Sequence, residues 1–126
     1  MKILSIIESA YRGTLEEQDD TVIWTTTALR GAGADIDILL VENAVNYAVK
    51  GQDASGLTLG AWKQTQPPRI EADLARIMGK GASVYLCADD AGERGLNDSH
   101  MIDGVQTKVR SDLPELFENY DQIWYW

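Results

Sequence analysis

The amino-acid sequence predicts an α/β fold built around a mainly parallel sheet. Short apolar segments with the composition of buried strands alternate along the chain with segments whose apolar residues recur at helical spacing. At residues 31–34 and again at residues 79–82, a Gly-x-Gly-Ala sequence joins an amphipathic helix to an apolar strand. This repeated helix–strand unit indicates crossover connections and therefore parallel strands. The length of 126 residues fits one domain over residues 1–126.

The first fifty or so residues supply two strands and two helices. Residues 2–8 form an isoleucine-rich run that predicts a strand buried on both faces. A Thr-x-x-Glu capping box opens the helix predicted over residues 14–31, with acidic residues through Asp20 in its early turns. Residues 35–41 predict the second strand, and Asn43 is placed to cap the short helix that follows it.

The second half continues the alternation after a long irregular segment. Residues 52–66 show no clear period and carry Leu57, Leu59 and Trp62; loops of this length are often lids, binding loops or interface segments. The elements predicted next are a helix from Pro67-Pro68 to Met78, a strand at 83–87, a short helix or turn at 88–95, a strand at 105–109, a helix capped by Ser111 or Asp112, and a strand at 121–126. The predicted sheet therefore has five strands.

The charge balance disfavours two classes of partner. The chain has 20 acidic and 11 basic side chains and a net charge of −9, and such a surface repels nucleic-acid phosphates and anionic membranes. The first apolar run soon meets a glutamate, Glu8, so it is too short for a signal peptide or a membrane span. We therefore expect a cytoplasmic protein that binds neither nucleic acid nor membrane.

Common cofactor motifs do not occur in the sequence. Both Gly-x-Gly elements follow a helix and precede a strand, whereas a dinucleotide-binding loop follows a strand and opens a helix. No P-loop is present, and His100 is the only histidine, which excludes a multi-histidine metal site within one chain. We expect no cofactor and no metal. The single cysteine also excludes an internal disulfide.

Cys87 is the main candidate for chemistry. It ends the third predicted strand of the sheet, and ligands and reactive groups gather beyond the carboxyl ends of parallel strands. The start of a following helix favours thiolate over thiol, whereas Asp89, Asp90 and Glu93 oppose another anion. The direction of the net pKa shift is open on these grounds. Packing as a small buried hydrophobic residue is the structural alternative.

Residues that follow the first three strands of the sheet are expected at the same edge. They form a candidate ligand-binding set made of Ser9, Tyr11, Arg12, Asn43, Asn46, Tyr47 and Arg94. Members of this set have structural alternatives: Asn43 as a cap, Tyr47 as packing and Arg12 as a surface charge.

Several segments, taken in order, resemble the DsrE/DsrF-like family. They are the opening strand, residues 43–52, residues 84–87 followed by Glu93-Arg94-Gly95-Leu96, and residues 120–126. The resemblance covers nearly the whole chain. It implies a three-layer α/β/α sandwich with a five-stranded, mainly parallel sheet, assembled into homotrimers, homohexamers or related hetero-oligomers. Characterised sulfur-relay members, including TusD-like proteins, carry sulfur as a persulfide on a cysteine at the end of this strand, a role that falls here on Cys87.

Two functions follow from the residues and the resemblance. The first is a sulfur carrier that holds a persulfide on Cys87, with Arg94 or backbone amides stabilising the anion and with donor and acceptor proteins as partners. It requires a thiol that is both ionisable and reachable. The alternative is a noncatalytic homo-oligomer that binds a small ligand or a protein partner. In that case the apolar residues of the 52–66 segment serve subunit contacts, and Trp124 and Trp126 are further interface candidates.

Overall fold

A computed structural model describes the protein over residues 1–10, 20–53 and 55–126. The predicted capping box of the first helix, and the candidate ligand residues Tyr11 and Arg12, lie outside these ranges. In chain order the described strands are β1 (Lys2–Ile7), β2 (Asp35–Leu40), β3 (Thr58–Leu59), β4 (Trp62–Lys63), β5 (Val84–Cys87), β6 (Gln106–Lys108) and β7 (Gln122–Tyr125).

Five of these strands form one sheet, in the order β6-β5-β2-β1-β7, and every neighbouring pair is parallel. The predicted five-stranded parallel sheet is therefore confirmed. The strands β1 and β2 lie inside the sheet and are almost wholly buried, because helices cover both of its faces. The register pairs Ile6 with Leu39, so the carboxyl ends of these two strands lie side by side.

The helices lie in layers on the two faces of the sheet. They are α1 (Thr21–Gly31), α2 (Ile70–Gly79), α3 (Ala88–Glu93) and α4 (Leu113–Phe117), together with 3-10 helices at Glu42–Ala48, Asp98–His100 and Arg110–Asp112. One core cluster joins α1, α2 and the first 3-10 helix to one face of the sheet. A second cluster joins Leu113 and Leu116 of α4 to the other face. The arrangement is the predicted three-layer α/β/α sandwich.

A buried polar group fastens the α4 layer to the sheet. Asp37 of β2 accepts hydrogen bonds from the Ser83 backbone N–H at 2.7 Å and from the Tyr120 hydroxyl at 2.6 Å. Burial, followed by the neighbouring Asp37 carboxylate, raises the pKa of Tyr120 well above its ordinary value. The phenol therefore stays protonated and remains a donor, which satisfies a carboxylate that is otherwise costly to bury.

Several predicted helix starts need correction: α2 begins at Ile70, after Pro67-Pro68, and Asp112 precedes α4 without a side-chain capping hydrogen bond. Helix α1 begins at Thr21, and Asp20 is its cap rather than part of its early turns, because the Asp20 carboxylate accepts from the backbone N–H groups of Val22 at 2.9 Å and Ile23 at 3.2 Å. The prediction of Asn43 as a cap is wrong. The 3-10 helix begins at Glu42, directly after β2, so Asn43 already lies inside it and its side-chain oxygen bonds elsewhere.

The irregular segment at residues 52–66 contains a hairpin that its sequence did not predict. Strands β3 and β4 pair antiparallel, with Leu59 opposite Trp62 and Thr58 opposite Lys63. Gly60 in the turn has a positive φ of 61°, which glycine adopts without strain. Strands of two residues are too short to show an alternating pattern, which explains why periodicity missed them.

Candidate functional site

The carboxyl ends of the parallel strands bring together a small group of charged residues around Cys87. Glu42 follows β2, Asp90 lies in the first turn of α3 directly after β5, and Arg110 follows β6. Cys87 is the last residue of β5 and the residue before α3. The strand order places β5 between β2 and β6, so side chains from three neighbouring strand ends meet at this point.

The Cys87 thiol is sealed in this structure. Its side chain is 0% exposed and belongs to the cluster of Leu4, Ile6, Leu39 and the α4 leucines. Burial is the largest cause that raises the pKa of Cys87, and the Asp90 carboxylate adds to it both by its charge and as an acceptor for the thiol. The backbone N–H groups of Asp90 and Asp89 act in the opposite direction but do not outweigh these effects. The thiol is therefore protonated at neutral pH.

Asp90 forms the polar side of the enclosure around the thiol. One of its carboxylate oxygens accepts from the Glu42 backbone N–H at 2.8 Å, and the other accepts from the Arg110 guanidinium. Burial acts to raise the pKa of Asp90, but these donors and the Cys87 thiol together lower it. Asp90 is therefore an anion at neutral pH. The outer partner, Arg110, has a side chain that is 54% exposed, so one ion pair separates this side of the thiol from solvent.

Glu42, at the carboxyl end of β2, has an unusual left-handed backbone conformation. Its φ of 50° lies in the left-handed region, and among the described residues other than glycine it alone does so. This turn aims its N–H at Asp90 and leaves its carboxylate 3.6 Å from the Arg94 guanidinium. A non-glycine residue held in this region costs about 1–3 kcal/mol, which the surrounding hydrogen bonds must offset.

Arg94 and Asn43, two of the candidate ligand residues, contact each other and connect two helices. The Arg94 guanidinium donates to the Asn43 side-chain oxygen at 2.9 Å and to the Asp90 backbone carbonyl at 3.0 Å. Arg110, which pairs with Asp90, also interacts electrostatically with Cys87. Sequence reasoning missed Arg110 as a member of this site and named Asp90 only as one of three acids that oppose a thiolate at Cys87. The position of Arg110 directly after the strand predicted at residues 105–109 was the available signal.

The other predicted ligand residues are divided between separate places. Ser9 is half-buried after β1. Asn46 donates its side-chain N–H to the Asn43 carbonyl at 2.9 Å. Tyr47 is buried, and its hydroxyl donates to Asp20 at 2.6 Å, so its ring packs in the core as the structural alternative held. It also lines a cavity at the base of the hairpin rather than the surroundings of the thiol.

Within residues 1–10, 20–53 and 55–126, no group of three or more His, Cys, Asp and Glu side chains is arranged to hold a metal ion. No helix described there has the length and apolar character needed to cross a bilayer.

Comparison with known proteins shows the class of fold. No protein-family model matches the sequence, and no curated protein matches it at a significant level. Among solved structures, the ychN protein from E. coli aligns with a TM-score of 0.76 at 22% identity, covering 99% of this chain and 98% of that one. The ychN protein has a DsrE-like fold. This likeness shows that the chain shares the DsrE-like α/β fold of the ychN protein.

Two further solved structures are similar over nearly their whole length. BT1422 from Bacteroides thetaiotaomicron, a conserved protein of unknown function, aligns with a TM-score of 0.68 at 14% identity, covering 99% of this chain and 95% of that one. MTH1491 from Methanobacterium thermoautotrophicum, also of unknown function, aligns with a TM-score of 0.64 at 13% identity, covering 97% and 96%. At these identities the likeness concerns the fold alone.

Proposed function

We propose that this chain is a noncatalytic, homo-oligomeric protein with a DsrE-like fold that works by binding a partner. The observation that carries the proposal is the β3–β4 hairpin, whose large apolar side chains face solvent. Leu57 is 48% exposed, Leu59 is 59% exposed and Trp62 is 42% exposed. An exposed apolar cluster of this kind often marks an interaction surface. A two-stranded hairpin is also marginally stable in water unless something packs against it.

The base of the hairpin is anchored, so its apolar tip has a defined position. Gln64 is buried, its backbone N–H donates to the Leu57 carbonyl at 2.8 Å, and its side-chain oxygen accepts from the Leu57 N–H at 3.2 Å. Gly56 packs so closely on the Gln64 carbonyl that a Cβ there would lie 1.8 Å from the oxygen. A fixed apolar projection loses little entropy on binding.

Strand β7 offers a second apolar surface, which a further copy of the chain can cover. It is an outer strand of the sheet, and Ile123, Tyr125 and Trp126 are 41%, 61% and 44% exposed. Residues 122–126 contain no charged side chain, and an uncharged edge of this kind favours pairing with another chain. Trp124, the other predicted interface candidate here, is half-buried.

Two separate apolar surfaces on one chain permit a head-to-tail contact between copies. Three half-exposed large side chains provide roughly 300 Å² at the hairpin, and Ile123 and Tyr125 provide roughly 200 Å² on one face of β7. One partner in a stable interface contributes about 800 Å². Any single contact between these surfaces is smaller than this, but hairpin-to-β7 contacts engage both surfaces of every subunit. Such a contact closes into a ring when its rotation permits, which suits the trimer or hexamer implied by the resemblance.

Analytical ultracentrifugation of the intact protein and two hairpin variants tests this assembly. The wild-type protein should sediment as a defined multiple of 13.9 kDa. Leu59→Asp should shift it to the monomer. The matched control, Thr58→Asp, puts the same charge in the same strand opposite Lys63 and should keep the assembly. A monomeric wild-type protein at tens of micromolar, or equal dissociation by both variants, would reject the proposal.

A second candidate function is the sulfur carrier, which one observation favours. The thiol lies at the end of β5 beside the first turn of α3, and its polar cover is a single ion pair with a half-exposed arginine. Parting of Asp90 and Arg110 would make this side of Cys87 reachable. The sealed position and raised pKa oppose transfer from the conformation described, which is why this function ranks second.

The transfer step itself balances without a metal or an oxidant. The Cys87 sulfur attacks the outer sulfur of a donor persulfide, R–S–SH, and a new S–S bond forms as the S–S bond of the donor breaks. The thiol proton of Cys87 passes to the departing R–S⁻, and Asp90 is placed to relay it. The products are the Cys87 persulfide and R–SH, and no net oxidation occurs.

Intact mass spectrometry separates the two functions. The protein is incubated with a small persulfide donor and measured before and after reductant, with Cys87→Ser as the control. A reducible gain of one sulfur atom that the variant lacks would establish the carrier and displace the first proposal as the sole function. Absence of loading, under conditions that load a known carrier protein, leaves the binding function.

A further inference from the structure

A cavity of about 250 Å³ lies between the base of the hairpin and the start of α2. At the volume of liquid water it would hold about eight water molecules, and so a compound of similar heavy-atom count. Leu57, Pro67, Pro68 and Ile70 provide an apolar wall. A concave, mainly apolar space with a few fixed polar groups is the usual form of a small-molecule site.

The charged groups that line this cavity are both carboxylates. They belong to Asp53 and Glu71, and no lysine or arginine is among the described lining residues. The Asp53 oxygens accept from the backbone N–H groups of Glu71 and Ala72, each at 3.1 Å. One Glu71 oxygen accepts from the Gly51 N–H at 2.6 Å. These bonds hold both carboxylates in place, and a carboxylate has about four acceptor sites, so capacity for another donor remains.

We infer that this hairpin cavity binds a small organic cation, with an apolar body against the Leu57 wall and an ammonium group at the carboxylates. An anionic ligand would meet two negative side chains here and a net charge of −9 on the whole chain. An uncharged apolar molecule would contact the apolar wall but would leave the two carboxylates without a ligand partner. A ligand with an apolar body and an ammonium group can contact the apolar wall and also pair with the carboxylates.

The inference shares Leu57 with the surface of the assembly proposed above, but the two can be tested separately, because a monomer can bind such a cation and an oligomer can fail to. Benzylamine, which has eight heavy atoms, is the probe, and benzyl alcohol and benzoate are the uncharged and anionic comparisons. In a two-dimensional amide NMR titration, benzylamine should shift the N–H resonances of Leu57, Gln64 and Glu71. Benzyl alcohol should bind at least fivefold more weakly, and benzoate should produce no shifts at these residues.

Two variants locate the charge that is recognised. Glu71→Gln keeps the shape and an acceptor for Gly51 but removes the negative charge, and it should weaken benzylamine at least fivefold without changing benzyl alcohol. Glu115→Gln on α4 removes the same charge from the opposite layer and should change neither. Equal affinity for amine and alcohol, shifts spread over the acidic surface, or no shifts near the cavity would overturn the inference. The ligand series on the wild-type protein decides the matter even if a variant does not fold.

Discussion

Replacing Asp90 with asparagine should make the sealed Cys87 thiol react much faster. Asparagine has nearly the same shape, and its oxygen can still accept from the Glu42 N–H. It no longer forms an ion pair with Arg110, and it no longer places an anion beside the sulfur. Both losses act in the same direction, since the first loosens the polar cover of the thiol and the second lowers the pKa of the thiol.

The size of the effect follows from the contacts that the substitution removes. A hydrogen bond to a charged group contributes about 1.5–3 kcal/mol, and the half-exposed Arg110 points to the lower end of that range. A sealed thiol reacts through a transient local opening, so the rate follows the open population. About 1.4 kcal/mol changes that population tenfold. We therefore expect a rate increase of about tenfold from opening alone, and a further increase from the lower thiol pKa.

Alkylation by iodoacetamide at mildly alkaline pH, followed by intact mass, measures this rate directly, because the chain has a single cysteine. Glu118→Gln, an exposed acid on the α4 side, is the matched control and should react at the wild-type rate. Small amounts of urea should change the Asp90→Asn rate little, since local opening exposes little surface. A rise below threefold, or the same rise in the control, would refute the assigned role of Asp90.

Three further predictions concern stability, each measured by urea unfolding. Asp20→Ala removes the α1 cap and the acceptor for Tyr47, and should lower the free energy of unfolding by about 1–3 kcal/mol. Asp20→Asn keeps a side-chain oxygen for the cap, so an equal or larger loss of stability in that control would contradict the prediction. Leu116→Ala leaves a cavity in the α4 layer and should cost about 2–5 kcal/mol, whereas a cost below about 1 kcal/mol would show that α4 packs loosely. Folding lowers the pKa of Asp90, so the contribution of its carboxylate to the free energy of unfolding is complete above about pH 4 and is lost as the pH falls through the lower folded pKa. The Asp90→Asn variant should therefore lose less stability than the wild-type protein on acidification. Parallel plots of unfolding free energy against pH for the two proteins would disprove this.

The sequence predicted the sheet well because buried parallel strands have a simple signature. The apolar runs that became β1, β2 and β5, and the two Gly-x-Gly-Ala junctions, depend on local composition and spacing alone. The hairpin strands are too short for such a signature. The left-handed turn at Glu42 was also missed, because glycine and asparagine are the residues that indicate such a turn and a glutamate does not.

The site was harder to predict because its contacts join residues that are far apart in the chain. The pair of Asp90 and Arg110 spans twenty positions and forms only when β6 lies beside β5. The direction of the Cys87 pKa shift was undecidable for the same reason. A helix start lowers the pKa of the thiol and three nearby acids raise it. Burial under the α4 leucines decides the direction, and this burial is a tertiary effect.

The order of the strands accounts for both the sealed thiol and the exposed apolar surface. Cys87 ends β5, an inner strand, so neighbouring strand ends lie on either side of it and α4 lies over it. Strand β7 is an outer strand next to β1, so one of its edges has no partner strand in the described part of the chain. The same topology thus withdraws the nucleophile from solvent and presents an uncharged aromatic edge to it. The proposed binding role requires no change in this arrangement, whereas the sulfur-carrying role requires the Asp90–Arg110 pair to open first.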